Sequence, residues 1–141
     1  MAYKNDSEIL SKHGIKLTAN RLLVFETMKK IGHAFSLNDM EEELLSMDKS
    51  TIFRTLVLFL EHHLIHSVED GSGSLKYCVC HNNGDCSPDE FHCHFYCEEC
   101  QRTFCLEDVQ TPIIDVPEGY MVREANYLLK GICSECEKVS I

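Results

Sequence analysis

The stretch DKSTIFRTLVLFLEHHLIHSVEDGSGSLKYCVC, residues 48–80, decides the fold of the first half of the chain. Its opening part has a helical periodicity, with Phe53 at the border of an apolar side formed by Ile52, Leu56, Phe59 and Leu60. The opposite side gathers shorter polar residues and one arginine: Ser50, Thr51, Arg54 and Thr55. One side is expected to pack in a core, and the other suits base edges and phosphates.

A hairpin is predicted directly after this helix, because two short alternating runs flank a turn rich in Gly, Ser and Asp. Upstream, Thr18 is positioned to cap a helix over TANRLLVFETMKKIG, and Ser36 with Asp39 forms a capping-box pattern before SLNDMEEELLSM. Three helices followed by a hairpin predict a winged helix-turn-helix, whose last helix enters a DNA major groove. The alternative is that STIFRT is only a capped helix start with a solvated face.

The cysteines occupy the other half of the chain, since all nine lie between Cys78 and Cys136. Two CxxC pairs have the spacing of a closed tetrahedral zinc shell, which is structural and leaves no coordination position for catalysis: Cys97, Cys100, Cys133 and Cys136. The competing interpretations are a redox CxxC and accidental packing.

A second metal site is available beside the first pair. His92 and His94 would point to the same side of a strand, and Cys105 follows Cys100 closely enough to fold back beside them. A mixture of thiolate and imidazole suits Zn(II), whereas iron(II) or manganese(II) sites usually contain more carboxylate. Further along, GYMVREANYLLKG, residues 119–131, is expected to be a strand leading to the second CxxC.

Composition limits the class of protein. The 141 residues are 44% apolar and fit one domain or two small ones. Residues 1–67 contain eight Lys or Arg against nine Asp or Glu, and residues 68–141 contain five against fourteen. This acidic balance argues against indiscriminate nucleic-acid binding and leaves room for a local DNA-reading face in the first half. The sequence has neither an export signal nor a membrane-spanning run, so we expect a cytoplasmic protein whose cysteines stay reduced.

Four segments in this order carry a family resemblance: HGIKLTANRLLVFETM, DKSTIFRTL, HCHFYCEEC and GICSEC. Together they resemble the ferric uptake regulator family of metal-responsive bacterial repressors. The resemblance implies an α+β fold, with a winged helix-turn-helix DNA-binding domain over residues 1–80 and a small α/β metal-binding dimerisation domain over residues 81–141. It also implies a homodimer, a palindromic double-stranded DNA operator, and a hinge metal that sets the spacing of the two recognition helices.

The resemblance implies roles for single residues. Lys16 matches a basic residue that reaches a minor groove, and Arg21 matches a phosphate-contacting arginine. The recognition-helix positions are Ser50, Thr51, Phe53, Arg54 and Thr55. The two CxxC pairs match a structural zinc site, and the hinge metal would be bound by His33, His92 and His94.

The departures from the family pattern concern operator and metal. Phe53 stands where the family commonly has tyrosine, so a base-directed hydroxyl is missing. Two hinge positions that are commonly acidic in iron and peroxide sensors fall on Cys78 and Cys105, while a second registration, similar to zinc sensors, selects Cys80 and His66. Either choice replaces carboxylate oxygen with thiolate sulfur, which favours zinc.

These patterns predict a zinc-sensing repressor of metal-uptake genes that is not an enzyme, with Fe²⁺ or Mn²⁺ as alternative regulatory ions. One alternative is an iron- or peroxide-responsive regulator of the same family. The other is a thiol-redox sensor, for which Cys86 in the loop HNNGDCSPDE is the leading candidate. A catalytic zinc is disfavoured because the chain has neither an HExxH nor an HxE…CxxC arrangement.

Overall fold

The computed structural model describes residues 2–79, 93–106, 112, 114–123, 125 and 127–139. The chain divides into two compact units, Met1–Ser87 and Pro88–Ile141. The predicted domain boundary between residues 80 and 81 lies outside the described residues and stays a prediction. None of the helices in the described ranges combines the length and the apolar character needed to cross a membrane.

The N-terminal unit is four helices followed by a two-stranded hairpin. The elements are α1 (Ala2–Lys12), α2 (Ala19–Ile31), α3 (Leu37–Glu43), α4 (Lys49–Glu61), β1 (Ile65–Val68) and β2 (Lys76–Val79). The three predicted helices and the hairpin are present, and α1 is an additional helix. It packs through Leu10, which is fully buried, and through buried Asp6, which forms an ion pair with Lys29 of α2.

Both predicted helix starts are confirmed by their hydrogen bonds. The Arg21 N–H donates to Oγ1 of Thr18 at 3.2 Å and caps α2. At α3 the Asp39 N–H donates to Oγ of Ser36 at 3.1 Å, and the Ser36 N–H donates to the Asp39 carboxylate at 2.9 Å, which completes a capping box. Each cap satisfies N–H groups that the first turn of a helix would otherwise leave unpaired.

The core of this unit forms on the apolar side of α4. Three side chains of α4 have no exposed surface: Ile52, Leu56 and Phe59. The Phe59 ring meets Phe25 of α2 edge to face, with 6.3 Å between centroids. Leu60, predicted on the same apolar side, is half-buried, and the border residue Phe53 is 46% exposed.

Thr55 corrects the prediction made from the helical wheel. The wheel places it on the polar side, but the structure buries it, and its Oγ1 donates to the Thr51 carbonyl at 2.8 Å. At 100° per residue Thr55 lies only about 40° from Phe59, so it belongs to the edge of the core. The short hydroxyl is accommodated there because the preceding turn of the helix satisfies it.

The hairpin forms a wing that is joined to the helices by main-chain bonds. Strands β1 and β2 pair antiparallel, with His66 opposite Cys78. Phe35, between α2 and α3, forms a bridge with Tyr77 of β2, with N–H···O distances of 2.9 and 2.8 Å. At the turn of the wing, the fully buried carboxylate of Asp70 accepts the Ser72 N–H and forms an ion pair with Lys76 at 2.7 Å.

The C-terminal unit is a three-stranded sheet with one short helix. Its elements are β3 (Cys93–Cys97), β4 (Thr103–Leu106), β5 (Tyr127–Gly131) and α5 (Ser134–Val139). Strand β3 is central, antiparallel to β4 and parallel to β5. The predicted strand over residues 119–131 is therefore shorter than expected, because Gly119 lies in a turn with φ of 92° and pairing with β3 begins only at Tyr127.

The two units differ in how their interiors are built. The apolar core cluster consists of residues of the N-terminal unit. In the described part of the C-terminal unit, the buried side chains are instead Cys93, His94, Cys97, Thr103 and Cys133. Several of its large apolar side chains are exposed: Ile114, Val116, Tyr120, Met121, Val122, Leu129 and Ile132. The described part of this unit therefore has fewer buried apolar side chains than the N-terminal unit.

The buried ion pair of the wing yields a stability prediction. Replacing Lys76→Met leaves the Asp70 carboxylate buried without its cation, so we expect a loss of about 3 kcal/mol in the free energy of unfolding. The matched control is Lys49→Met, which breaks the more exposed Lys49–Glu41 pair and is expected to cost less than about 1 kcal/mol. Urea unfolding followed by circular dichroism measures the free energy of unfolding of both variants. Equal losses would contradict a stabilising role for the buried Asp70–Lys76 pair.

Candidate metal centre and nucleic-acid interface

Four cysteine sulfurs of the C-terminal unit converge on one point. The Sγ atoms of Cys97, Cys100, Cys133 and Cys136 all lie within 4.8 Å of one another. A tetrahedral zinc ion with Zn–S bonds of about 2.3 Å requires sulfurs roughly 3.8 Å apart. The Cys100 and Cys133 sulfurs are 3.9 Å apart, so the cluster has the donor set and the spacing of a structural zinc site. The convergence of the two CxxC pairs is as the sequence predicted.

Main-chain hydrogen bonds bring the first CxxC pair into this position. Gln101 adopts a left-handed conformation with φ of 63°, which lets its N–H donate to the Cys97 carbonyl at 2.9 Å. The Cys97 N–H in turn donates to the Arg102 carbonyl at 3.0 Å, closing the turn between β3 and β4. From the other side, the Glu98 N–H donates to Gly131 at the end of β5 at 2.8 Å.

The electrostatics of the cluster centre on Cys97, whose side chain is fully buried. Its sulfur accepts N–H groups from Cys100 at 3.5 Å and Cys133 at 3.3 Å. Burial raises the pKa of the Cys97 thiol, but these hydrogen bonds outweigh burial and lower that pKa to about 6. A hydrogen bond to Cys133, with burial, raises the pKa of Cys136 to about 12. Zinc must therefore displace protons to bind, and its affinity falls as the pH falls.

A second group of donors lies further along the same sheet. His94 of β3 stands opposite Cys105 of β4, and a ring nitrogen of His94 lies within 4.8 Å of the Cys105 sulfur. His94 is buried. Cys93, next to it, is buried as well, and burial together with the negative charge of Cys105 raises the pKa of its thiol. A raised thiol pKa is the opposite of what a redox-switching cysteine requires.

The N-terminal unit presents its candidate ligands on and beside the wing. His66 and Cys78 face each other across β1 and β2, and the buried Cys78 sulfur lies 3.8 Å from the Val79 carbonyl. His33 is half-buried, with Nδ1 2.8 Å from the Ala34 carbonyl, two residues before the Phe35–Tyr77 bridge. Three further predicted residues lie outside the described residues: Cys80, Cys86 and His92.

The predicted DNA-reading side chains are for the most part exposed on α4. Ser50, Phe53 and Arg54 are exposed, and the Arg54 Nε donates to the Ser50 carbonyl at 3.3 Å. Thr51 is half-buried, and its hydroxyl donates to the Asp48 carboxylate at 3.0 Å. Before α2, the exposed Lys16 is held through its carbonyl, which accepts an N–H of the Arg21 guanidinium at 2.8 Å.

Sequence reasoning missed two residues beside the cysteine cluster. Arg102 donates to the carboxylate of Glu135 at 3.1 Å, and this contact joins the segments that contain the two CxxC pairs. The pair is separated by 33 residues in the chain. The one local signal was a basic residue placed two positions after Cys100.

The fold and the site define a two-domain protein with a winged helix-turn-helix followed by a small α/β domain containing a four-thiolate metal site. A model of the ferric uptake regulator family matches residues 12–133. The chain belongs to this family.

Individual members of the family have low sequence identity to this chain. The ferric uptake regulation protein of Haemophilus influenzae (strain ATCC 51907 / DSM 11121 / KW20 / Rd) is 27% identical over 140 residues, covering 91% of this chain and 89% of that protein. The zinc uptake regulation protein of Escherichia coli (strain K12) is 25% identical over 140 residues, covering 94% and 79%. Among solved structures, a zinc uptake regulator complexed with zinc and DNA matches with a TM-score of 0.67 at 23% identity, covering 95% of this chain and 91% of that one. This likeness confirms the fold.

The four-cysteine geometry predicts the effect of removing one ligand. Cys97→Ser should lose about one zinc ion per chain, because a closed structural shell needs all four ligands. Since the buried side chains in the described part of the C-terminal unit are cysteines, a histidine and a threonine, we also expect its melting transition to disappear. Elemental analysis and calorimetry of purified protein measure these effects. Cys93→Ser, a buried cysteine outside the cluster, is the control; equal zinc in both variants would exclude Cys97 as a ligand.

Proposed function

We propose that this protein is a zinc-sensing, DNA-binding transcriptional repressor of metal-uptake genes. The observation that supports zinc most directly is the His94–Cys105 pair across β3 and β4. A thiolate and an imidazole at one position suit Zn(II), whereas Fe(II) and Mn(II) prefer sites with more carboxylate oxygen. Among the described residues, no carboxylate lies close enough to His94 and Cys105 to form a metal site with them.

The proposed regulatory ion takes His94 and Cys105 from the C-terminal unit. Zinc coordinates four ligands as a rule, so two further donors are needed. The candidates that the sequence offers are His33, His66, Cys78, Cys80 and His92. Ligands from both units would make the ion sensitive to how the two units are arranged, which is the property that a switch requires.

The DNA-binding surface that we propose is the exposed side of α4 with the residues before and within α2. Ser50, Thr51, Phe53 and Arg54 would enter a major groove, where the apolar Phe53 ring suits a thymine methyl group. Lys16 and Arg21 would contact the minor groove and a phosphate. Thr55, predicted as a DNA contact, is left out of this surface because it is buried.

The proposed mechanism is thermodynamic linkage in a homodimer that binds a palindromic operator. Zinc binds the DNA-competent arrangement better than the alternative, so rising zinc shifts the population toward repression. Coupling of about 1 to 3 kcal/mol is typical of such linkage. The acidic second half of the chain suits a dimer body that stays away from DNA.

A second candidate is iron- or manganese-dependent repression, which is favoured by the ferric uptake regulation proteins among the relatives. Selection from a random duplex-DNA pool separates the two. Reduced protein would be incubated with buffered Zn²⁺, with Fe²⁺ or Mn²⁺, or with a mild chelator that spares the four-cysteine zinc. Enrichment of a palindrome only with Zn²⁺ supports the proposal, while enrichment only with Fe²⁺ or Mn²⁺ supports the second candidate. The same palindrome under every condition would contradict metal control.

The proposed regulatory ligands predict a selective defect. Cys105→Ser and His94→Ala should each abolish the zinc-dependent gain in operator affinity, because a donor to the ion is removed. Both variants should keep the four-cysteine zinc, since neither residue belongs to that cluster. Fluorescence anisotropy against buffered zinc measures the affinity, and elemental analysis measures the retained zinc. Cys93→Ala is the control. A full zinc response in either ligand variant would contradict the assignment of that residue as a regulatory ligand.

The DNA-binding surface predicts the effect of Arg54→Ala. Removing a base- or phosphate-contacting arginine should weaken operator binding by about 1 to 3 kcal/mol, roughly 5- to 150-fold. Arg123→Ala removes the same charge from an exposed position of the C-terminal unit and should leave affinity within about twofold. Operator titrations at one salt concentration measure both, and an unchanged affinity for Arg54→Ala would remove α4 from the interface.

A further inference from the structure

The first knuckle (residues 97–100) and the second knuckle (residues 133–136) of the cysteine cluster are both acidic. With the two residues that follow each, they contain four glutamates: Glu98, Glu99, Glu135 and Glu137. The same two segments contain two basic residues, Arg102 and Lys138. Four thiolates around a divalent zinc ion also leave an excess of negative charge. The metal-bound cluster therefore accumulates repulsion that an outer cation would relieve.

Arg102 is positioned to provide that relief. Its backbone carbonyl accepts the Cys97 N–H at 3.0 Å, which fixes the residue at the end of the first knuckle. Its guanidinium donates to Oε2 of Glu135 at 3.1 Å, inside the second knuckle. Arg102 therefore contacts both knuckles, the first through its main chain and the second through its guanidinium.

We propose that Arg102 and Glu135 form an ionic clasp that closes the two knuckles around the structural zinc and slows its release. Arg102 is a positioning residue and does not ligate the ion. Its planar guanidinium suits contact with a carboxylate better than a lysine ammonium would. Outer partners of metal ligands typically change metal affinity by about 10- to 100-fold, and because both side chains of this pair are exposed its effect should be smaller.

The inference rests on zinc occupying the four-cysteine cluster. It is tested on full-length, reduced, zinc-loaded protein in a Cys105→Ser background, which removes the proposed second site. Zinc release into an excess of a colorimetric chelator gives a rate constant. Arg102→Gln should release zinc about 3- to 10-fold faster, and Arg102→Lys should fall between Arg102→Gln and the parent. In 1 M salt the difference between Arg102→Gln and the parent should shrink, because exposed charges are screened.

Two further variants separate a clasp from a general charge effect. Glu135→Gln removes a negative charge beside the thiolates, so electrostatics alone would slow release, whereas loss of a clasp accelerates it by about two- to threefold. Lys138→Gln removes an equal positive charge from an exposed position after the second knuckle and should leave the rate within about 1.5-fold of the parent.

The opposing outcomes are distinct. Unchanged release from Arg102→Gln, slowed release from Glu135→Gln, or equal acceleration in Lys138→Gln would each overturn the clasp. A parent protein that contains no zinc would overturn it as well, by removing its basis. None of these results bears on zinc-dependent operator binding, which the DNA selection measures separately.

Discussion

The sulfur of Cys97 is the constraint on which the C-terminal unit depends. It accepts N–H groups from Cys100 and Cys133, so one buried atom joins both knuckles before any metal is considered. The same residue ends β3, and its main chain closes the turn into β4. A metal ion at this point would therefore link elements whose buried side chains, among the described residues, are cysteines, a histidine and a threonine. Four thiolates around a metal ion can stabilise such a small unit.

The N-terminal unit is built in the opposite way. Its aromatic and aliphatic side chains form a complete core, with Phe25 and Phe59 in contact at the centre. Its wing has a buried ion pair at the turn and a main-chain bridge to the helices. Such a unit has an apolar core of its own that stabilises its fold. Under the proposed function, zinc would therefore control DNA binding by changing the arrangement of folded units. It would not be needed to fold the DNA-binding domain.

The structural features that the sequence predicted correctly are those that depend on residues close together in the chain. The caps at Thr18 and Ser36, the hairpin and the CxxC pairs each depend on residues a few positions apart. Helix α1 was missed because one of its anchors, the Asp6–Lys29 ion pair, joins residues 23 positions apart. The side of Thr55 was wrong because it lies at the edge of the core, where a hydroxyl bonded to its own helix is tolerated. The extent of β5 depends on parallel pairing with β3, which is distant in the chain. The choice between Cys78 and Cys80 depends on coordination geometry. The spacing of residues in the sequence determines neither of these features.

The hairpin of β3 and β4 contributes donors to both groups of metal donors in the C-terminal unit. His94 lies three residues before Cys97 on β3, and Cys105 lies two residues after Thr103 at the start of β4. The turn that closes the four-cysteine cluster therefore also sets the register that places His94 opposite Cys105. A sensor ion must exchange with its surroundings, and fewer thiolates around it make exchange easier than in a closed four-thiolate shell. Under the proposed function, a slowly exchanging zinc holds the hairpin in register, so that a second, reversible ion meets donors already in place.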